Sequence, residues 1–285
     1  MHLAVTGANG FVGRHVVTHA SHSGWTVTGV VRSEAAAQIV STAGGRPVEI
    51  PDPDAEALTR AFAGARAVVH LAQIGAERGG QTYERVNVGL TERVLEACHR
   101  AGVSRLVFFS GLGVARYGMK PRCTNPYFLS KLTAETRLFR SGLEGIVFRP
   151  SYVVGPGDAF VPAVLGAMAA GEVERPGDGS YRMQPVAVAD AAALVLAAAA
   201  RPGPAFPTVF DPATDPGGPQ GPAHARPRPF HLGKGVEFEI DADLPPAPRN
   251  INPPADTPNR DDFDDGARPN TWTLDHCRTT NVDVQ

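Results

Sequence analysis

Tyr127 and Lys131 stand four residues apart in Asn125-Pro126-Tyr127-Phe128-Leu129-Ser130-Lys131, a spacing that puts both on one face of a helix. Asn125 reads as the N-cap of that helix, and Pro126 suits its first turn. A phenol with a pKa of about 10 is a poor base at neutral pH, but a fixed ammonium beside it favours the phenolate. The pair is therefore a proton-transfer group for oxidising an alcohol or reducing a carbonyl. The chain has only 5 Tyr, so chance rarely makes such a pair; the bland reading is an aromatic that packs and a lysine that faces water.

A second group lies at the other end: Thr6-Gly7-Ala8-Asn9-Gly10-Phe11-Val12-Gly13. It joins a short apolar run to an amphipathic stretch, the context in which such a glycine pattern holds a dinucleotide. Gly7 allows the tight turn, Gly10 lets a pyrophosphate approach the backbone, and Gly13 lets helix and strand pack closely. The helix then offers its first N–H groups to the phosphates. The following strand ends Val30-Val31-Arg32-Ser33 with no acid before Glu34. An acid there would accept the ribose 2′-OH of NAD, whereas Arg32 suits the 2′-phosphate of NADP. NADP is the expected cofactor. Asp52, just past the third strand, is placed either to reach an adenine amine or to cap the next helix.

The elements that must carry these groups alternate. Strands are expected at 2–6, 25–31, 47–50, 67–72, 105–110 and 145–149. Helices are expected at 11–23, 34–42, 54–62, 82–101 and 126–140, the fourth with Val86, Leu90, Val94 and Ala97 at helical spacing. Continuous apolar strands alternating with helices predict an α/β fold, a Rossmann-like doubly wound parallel sheet. Beyond Pro150, 160–170 reads as helical, 181–188 as extended and 189–200 as an Ala-rich helix, with 235–240 alternating like a strand.

Composition bounds the rest. Apolar residues make up 42% of the 285, enough for a sizeable core. A net charge of −2 gives no basic footprint for nucleic acid, and no run approaches the roughly 20 apolar residues of a membrane span. Without a basic-then-apolar leader, and with Cys98, Cys123 and Cys277 forming no even disulfide set, a cytoplasmic protein is expected. The arginines at 93, 100 and 105 read as a solvated face, His15, His19 and His22 as a solvated helix face rather than a metal site, and Met168 and Met183 as core. After residue 210 the chain holds 7 basic against 13 acidic residues, and 16 of its 26 prolines fall after residue 200. The expected organisation is a dinucleotide domain at 1–150, a small, reduced substrate region at 151–212, and a Pro-rich acidic tail at 213–285, disordered or divergent.

Together the glycine turn and the Tyr-x-x-x-Lys pair make the chain resemble the extended short-chain dehydrogenase/reductase superfamily, the NAD-dependent epimerase/dehydratase group. His70-Leu71-Ala72, Asn87 in Val86–Thr91, and the segment opening Arg149-Pro150-Ser151-Tyr152 are similar to the family's segments beside the cofactor. The last, with 181–190, most resembles the branch containing the NAD(P)H-binding accessory subunit of respiratory complex I. The resemblance implies that Tyr127 is the acid/base and Lys131 its pKa partner and ribose anchor, with Ser110 a weak third member. It implies cofactor contacts from Thr6, Gly7, Asn9, Gly10, Phe11, Val12, Gly13, Leu71, Ala72, Asn87 and Pro150, beside Arg32 and Asp52. The implied substrate is a small molecule, a nucleotide sugar or another hydroxylated metabolite, handled by a homodimer or a member of a protein complex. One departure stands out. Phe109-Ser110-Gly111-Leu112-Gly113 puts Leu112 where the active family carries a hydroxyl that bonds the substrate oxygen, and Ser110 is two residues early. That departure keeps open an alternative, a non-catalytic NADPH-binding protein that regulates or stabilises a partner.

Overall fold

The computed structural model describes residues 1–118, 123–171, 185–201, 208–210 and 230–231. The chain begins β1 (His2–Thr6), α1 (Phe11–His22), β2 (Thr26–Val31), α2 (Glu34–Thr42), β3 (Arg46–Glu49), α3 (Ala55–Phe62) and β4 (Ala67–His70). It continues with α4 (Leu90–Ala101), β5 (Arg105–Phe109), α5 (Pro126–Arg140), β6 (Glu144–Phe148) and β7 (Val153–Val154). The last described elements are α6 (Phe160–Ala170), β8 (Val186–Ala187), α7 (Val188–Ala200), β9 (Thr208–Phe210) and β10 (Phe230–His231). The main sheet runs β10-β9-β6-β5-β4-β1-β2-β3. All its pairings are parallel except β9 with β10. A separate pair, β7 with β8, is also parallel.

Successive residues of each strand face opposite sides, and in the central strands both sides are apolar. Leu3, Val5, Val69, Val107 and Ile146 join a core with α1 and α7, while Ala4, Val68, Leu106, Phe108 and Val147 join one with α3, α4 and α5. Burial on both faces is why these strands read as continuous apolar runs. The strand order reverses between β1 and β4, and in such sheets ligands bind beyond the carboxyl ends of the strands at that point. Thr6, His70, Phe109, Phe148 and Val31 all stand at those ends, so the topology converges the two chemical groups at one rim.

Several expectations are corrected. The helix expected over 82–101 begins with a π-helical turn at Glu84–Gly89 before α4; the wider turn re-aims Asn87 inward, where it is buried. Such turns often sit at functional sites. Arg105 is not on a solvated face: it is 2% exposed. Its guanidinium donates to Glu144 and to the carbonyls of Ala198, Ala199 and Arg201 at the C-terminal end of α7, where helix carbonyls lack intrahelical partners. Met168 is not core but 59% exposed, because α6 is apolar on every side and buries none of its residues. Cys98 is buried and reduced, whereas Cys123 is disulfide-bonded, against the expectation of reduced thiols throughout. β9 and β10 were not anticipated; both are too short to show alternation. Only Val186–Ala187 of the extended stretch at 181–188 is a described strand. Met183, the strand expected at 235–240, and all of the expected tail but residues 230–231 lie outside the described residues.

Arg105 clamps β5, β6 and α7 together. Replacing it by Met strands Glu144 and several helix-end carbonyls, so Arg105→Met should lower unfolding free energy by about 3 kcal/mol. Urea denaturation of the two proteins measures this; a loss under about 1 kcal/mol would make the clamp no more than a surface pair.

Candidate active site

Asn125 caps α5 through its side-chain oxygen, which accepts from the Tyr127 N–H at 2.9 Å, and Pro126 occupies the first turn. This start places Tyr127 and Lys131 under the end of β5. Lys131 is 2% exposed. Its Nζ donates to the carbonyl of Phe109 at 2.5 Å and to Gln73 Oε1 at 2.6 Å, and it lies 4.3 Å from the centroid of the Phe108 ring. Burial pushes its pKa down to about 7, with the Glu135 carboxylate one helical turn on resisting. Glu135 is buried too, and is paired with Arg149 just past β6. The Tyr127 hydroxyl reaches the same Gln73 oxygen, more loosely, at 3.4 Å. Burial pushes the Tyr127 phenol up to about 12, and its hydrogen bond with Gln73 offsets only part of that. With desolvation the largest cause of the shift, the Tyr127 phenol carries its proton at neutral pH.

Gln73 was missed by the sequence reading. Its signal was position: it follows His70-Leu71-Ala72 at the carboxyl end of β4, beside the switch point. An ammonium cannot accept a hydrogen bond, so the amide atom facing Lys131 must be the oxygen. The loop bearing Gln73 is pinned by Asn87, whose Oδ1 accepts from Ile74 N–H while its Nδ2 donates to Ile74 O and Ser130 Oγ. Asn87 thus ties the loop to α5, and its side chain is spent on protein groups.

Thr6 is spent as well. Thr91 Oγ1 donates to Asn87 O at 2.7 Å, so it accepts from His70 Nε2–H at 3.0 Å. His70 Nδ1 then accepts from the Thr6 hydroxyl at 2.6 Å. Burial and the Lys131 charge push the His70 pKa down to about 3, so it is a neutral structural link. Ser110 is 5% exposed and its Oγ has no hydrogen-bond partner among the described residues. Leu112 packs with Tyr83, Tyr127 and Phe128, and its N–H donates to Pro150 O.

The glycine turn fits a dinucleotide. Gly7 has φ +68°, and a Cβ there would stand 2.7 Å from Ala72 N, so Leu71 and Ala72 lie against it. A Cβ on Gly13 would be 2.1 Å from Gly7 O, whereas one on Gly10 would meet only Gly7 O at 3.2 Å. The face at Gly10 is therefore open. No side chain caps α1 and its first turn has no acid, leaving the amides of Phe11, Val12 and Gly13 for an anion. Arg32 is exposed, with no ion-pair partner among the described residues. Ser33 caps α2 and Asp54 caps α3. Asp52 is not that cap; it lies 3.7 Å from Arg85 in an exposed pair.

A doubly wound sheet with a glycine turn and a Tyr–Lys pair at one rim is the arrangement of the short-chain dehydrogenase/reductase class. Residues 3–208 match the NAD dependent epimerase/dehydratase family, and the chain belongs to that family. It is 30% identical over 67% of its length to a 2-alkyl-3-oxoalkanoate reductase of Stenotrophomonas maltophilia, covering 63% of that protein. It is 29% identical over 70% of its length to a 4-hydroxy-2-methyl-3-oxo-4-farnesyl-3,4-dihydroquinoline-1-oxide ketoreductase of Stigmatella aurantiaca, covering 65% of it. The chain thus spans just under two thirds of these relatives. Among solved structures it is similar to MoeE5 in complex with UDP-glucose and NAD, with a TM-score of 0.59 and 29% identity over 74% of this chain and 75% of that one. No helix among the described residues is long and apolar enough to cross a membrane.

The buried lysine makes stability depend on pH. Between about pH 7, where the folded ammonium loses its proton, and about 10, the unfolded chain binds more protons, so stability rises with pH. Wild type should gain on Lys131→Met by up to about 1.4 kcal/mol per pH unit in that window, read from urea melts at pH 7 and 9.5. A constant difference would mean that the ammonium is not desolvated.

Proposed function

We propose that this protein is an NADP(H)-dependent reductase of a ketone on a substrate with an apolar tail. The observation that carries it is the buried Tyr127–Lys131 pair at the rim of the glycine turn, with the phenol held protonated. Gly7, Gly10 and Gly13 with the first amides of α1 would hold the pyrophosphate, Arg32 the 2′-phosphate, and Leu71, Ala72 and Pro150 would flank the cofactor, with Asp52 toward the adenine. Held there, the nicotinamide would be a hydride source for the carbonyl carbon. Tyr127 gives its proton to the carbonyl oxygen, completing the alcohol. Lys131, with two N–H donors on oxygens, keeps the third for a ribose hydroxyl and holds positive charge beside the phenolate that forms.

The tail is argued from the surroundings. Tyr83 and Phe128 meet the Tyr127 ring edge-on in a cluster that includes Leu112 and has Tyr152 packed against it, and Tyr152 stacks on Phe160 at 4.4 Å, where α6 begins. α6 carries no charged residue and exposes Val161, Leu165 and Met168. An alkyl or prenyl chain suits that wall better than a sugar, and the names of the two reductase relatives point the same way. MoeE5, with its UDP-glucose, keeps nucleotide sugars in the test panel.

Wild type should oxidise NADPH with 2-alkyl-3-oxoalkanoates or prenylated ketones and not with UDP-sugars. Tyr127→Phe should lose at least about 1,000-fold in kcat while its NADPH dissociation constant stays within threefold. Arg32→Ala should weaken NADPH by about tenfold and leave NADH unchanged. Tight NADPH binding without turnover of any ketone would overturn the reductase reading and leave the regulatory one.

A further inference from the structure

Most carbonyl-reducing sites need two donors on the substrate oxygen, one that gives its proton and one that stabilises the developing charge. Tyr127 is the first. The second is missing where it is expected, because Leu112 has no polar side chain and its N–H is bound to Pro150 O. Ser110 does not replace it: its Oγ is enclosed just past the carboxyl end of β5 with less than 1 Å² accessible. Gln73 is the polar side chain that is both exposed and in hydrogen-bond contact with the phenol.

We infer that the Gln73 carboxamide nitrogen is the second donor, bonding the substrate oxygen that Tyr127 protonates. The inference rests on the ketone-reducing reading. Lys131 fixes the amide by its oxygen at 2.6 Å, so the opposite end is the NH2 group, with no partner among the described residues. An amide's oxygen and nitrogen are about 2.3 Å apart. Added to the 3.4 Å from phenol to amide oxygen, this keeps the nitrogen within about 5.7 Å of the phenol. Two donors on one carbonyl oxygen, about 120° apart and each about 2.9 Å away, stand about 5 Å from one another, a separation inside that limit. The ammonium on the amide oxygen also polarises the N–H bonds and strengthens them as donors. The site thus gets its stabilising donor from the loop after β4 instead of the loop after β5, and the buried lysine acts on the substrate through the amide.

Four proteins test this: wild type, Gln73→Leu, Gln73→Glu, and Gln73→Leu combined with Leu112→Ser. Three quantities are read: ketone turnover, the NADPH dissociation constant, and the dissociation constant of a medium-chain 3-oxoalkanoate in the unreactive complex with NADP+. Gln73→Leu should lose about 100-fold in kcat with NADPH affinity within threefold. Gln73→Glu keeps an oxygen for Lys131 but has no N–H, and should lose as much. Adding Leu112→Ser, which restores a hydroxyl at the family's usual place, should recover at least about tenfold. Wild-type turnover by Gln73→Glu would overturn the inference, since the oxygen alone would then suffice. So would tighter NADPH binding by Gln73→Leu at unchanged kcat, which would make the amide a mere occupant of the cofactor's place. If wild type reduced no ketone, the reductase reading would fall. The 3-oxoalkanoate constant would still decide the contact: a weakening of about tenfold in Gln73→Glu sustains it, and no change sinks it.

Discussion

Keeping an ammonium out of water at the end of β5 is the constraint around which this molecule is arranged. An unpaired buried charge would simply lose its proton. Lys131 keeps its place because four groups from three segments act on it: the Phe109 carbonyl and the Phe108 ring from β5, Gln73 after β4, and the charge of Glu135 on its own helix. Glu135 is in turn held by Arg149 at the end of β6, so alternating charges run from β6 through α5 to the sheet's centre. Each partner satisfies the next, which is the condition for a buried polar network to rigidify rather than destabilise.

The same enclosure shifts the protonation of the pair. The sequence suggested a phenol made acidic by the lysine; the structure instead shows both groups deprived of solvent, which pushes the tyrosine up and the lysine down. Each is thereby driven toward its neutral form. A neutral phenol is a proton donor, which is the role the proposed ketone reduction asks of Tyr127.

The sheet was legible because burial on both faces leaves an unambiguous trace: six apolar runs separated by helices, each within one or two residues of its place. The glycine turn was legible for a steric reason, since Gly7 and Gly13 stand where a Cβ would strike backbone. What stayed hidden has equally physical causes. Nothing in the spacing of Arg105 reveals that its partners lie some 90 residues on, at the end of α7. Likewise the period of an apolar helix cannot say whether anything covers it, which is how Met168 read as core. Gln73 was invisible as a type, because a lone glutamine after a strand carries no pattern; only the Lys131 contact gives it meaning.

Leu112 then becomes intelligible as part of the same arrangement. A hydroxyl at that position would need a partner whenever substrate is absent, whereas leucine packs with Tyr83 and Phe128 beside Tyr127 and completes the desolvation that keeps the phenol protonated. Moving the donor to an exposed amide leaves that function in solvent reach while the wall around the phenol stays apolar. The same wall continues through Tyr152 and Phe160 to the uncharged surface of α6. A site with its polar groups gathered at one point and aliphatic surface leading away discriminates by where a substrate carries its carbonyl relative to its chain. On the proposed reading of an apolar-tailed ketone, the chain of the substrate would cover that surface, and burying it there would need no polar partners.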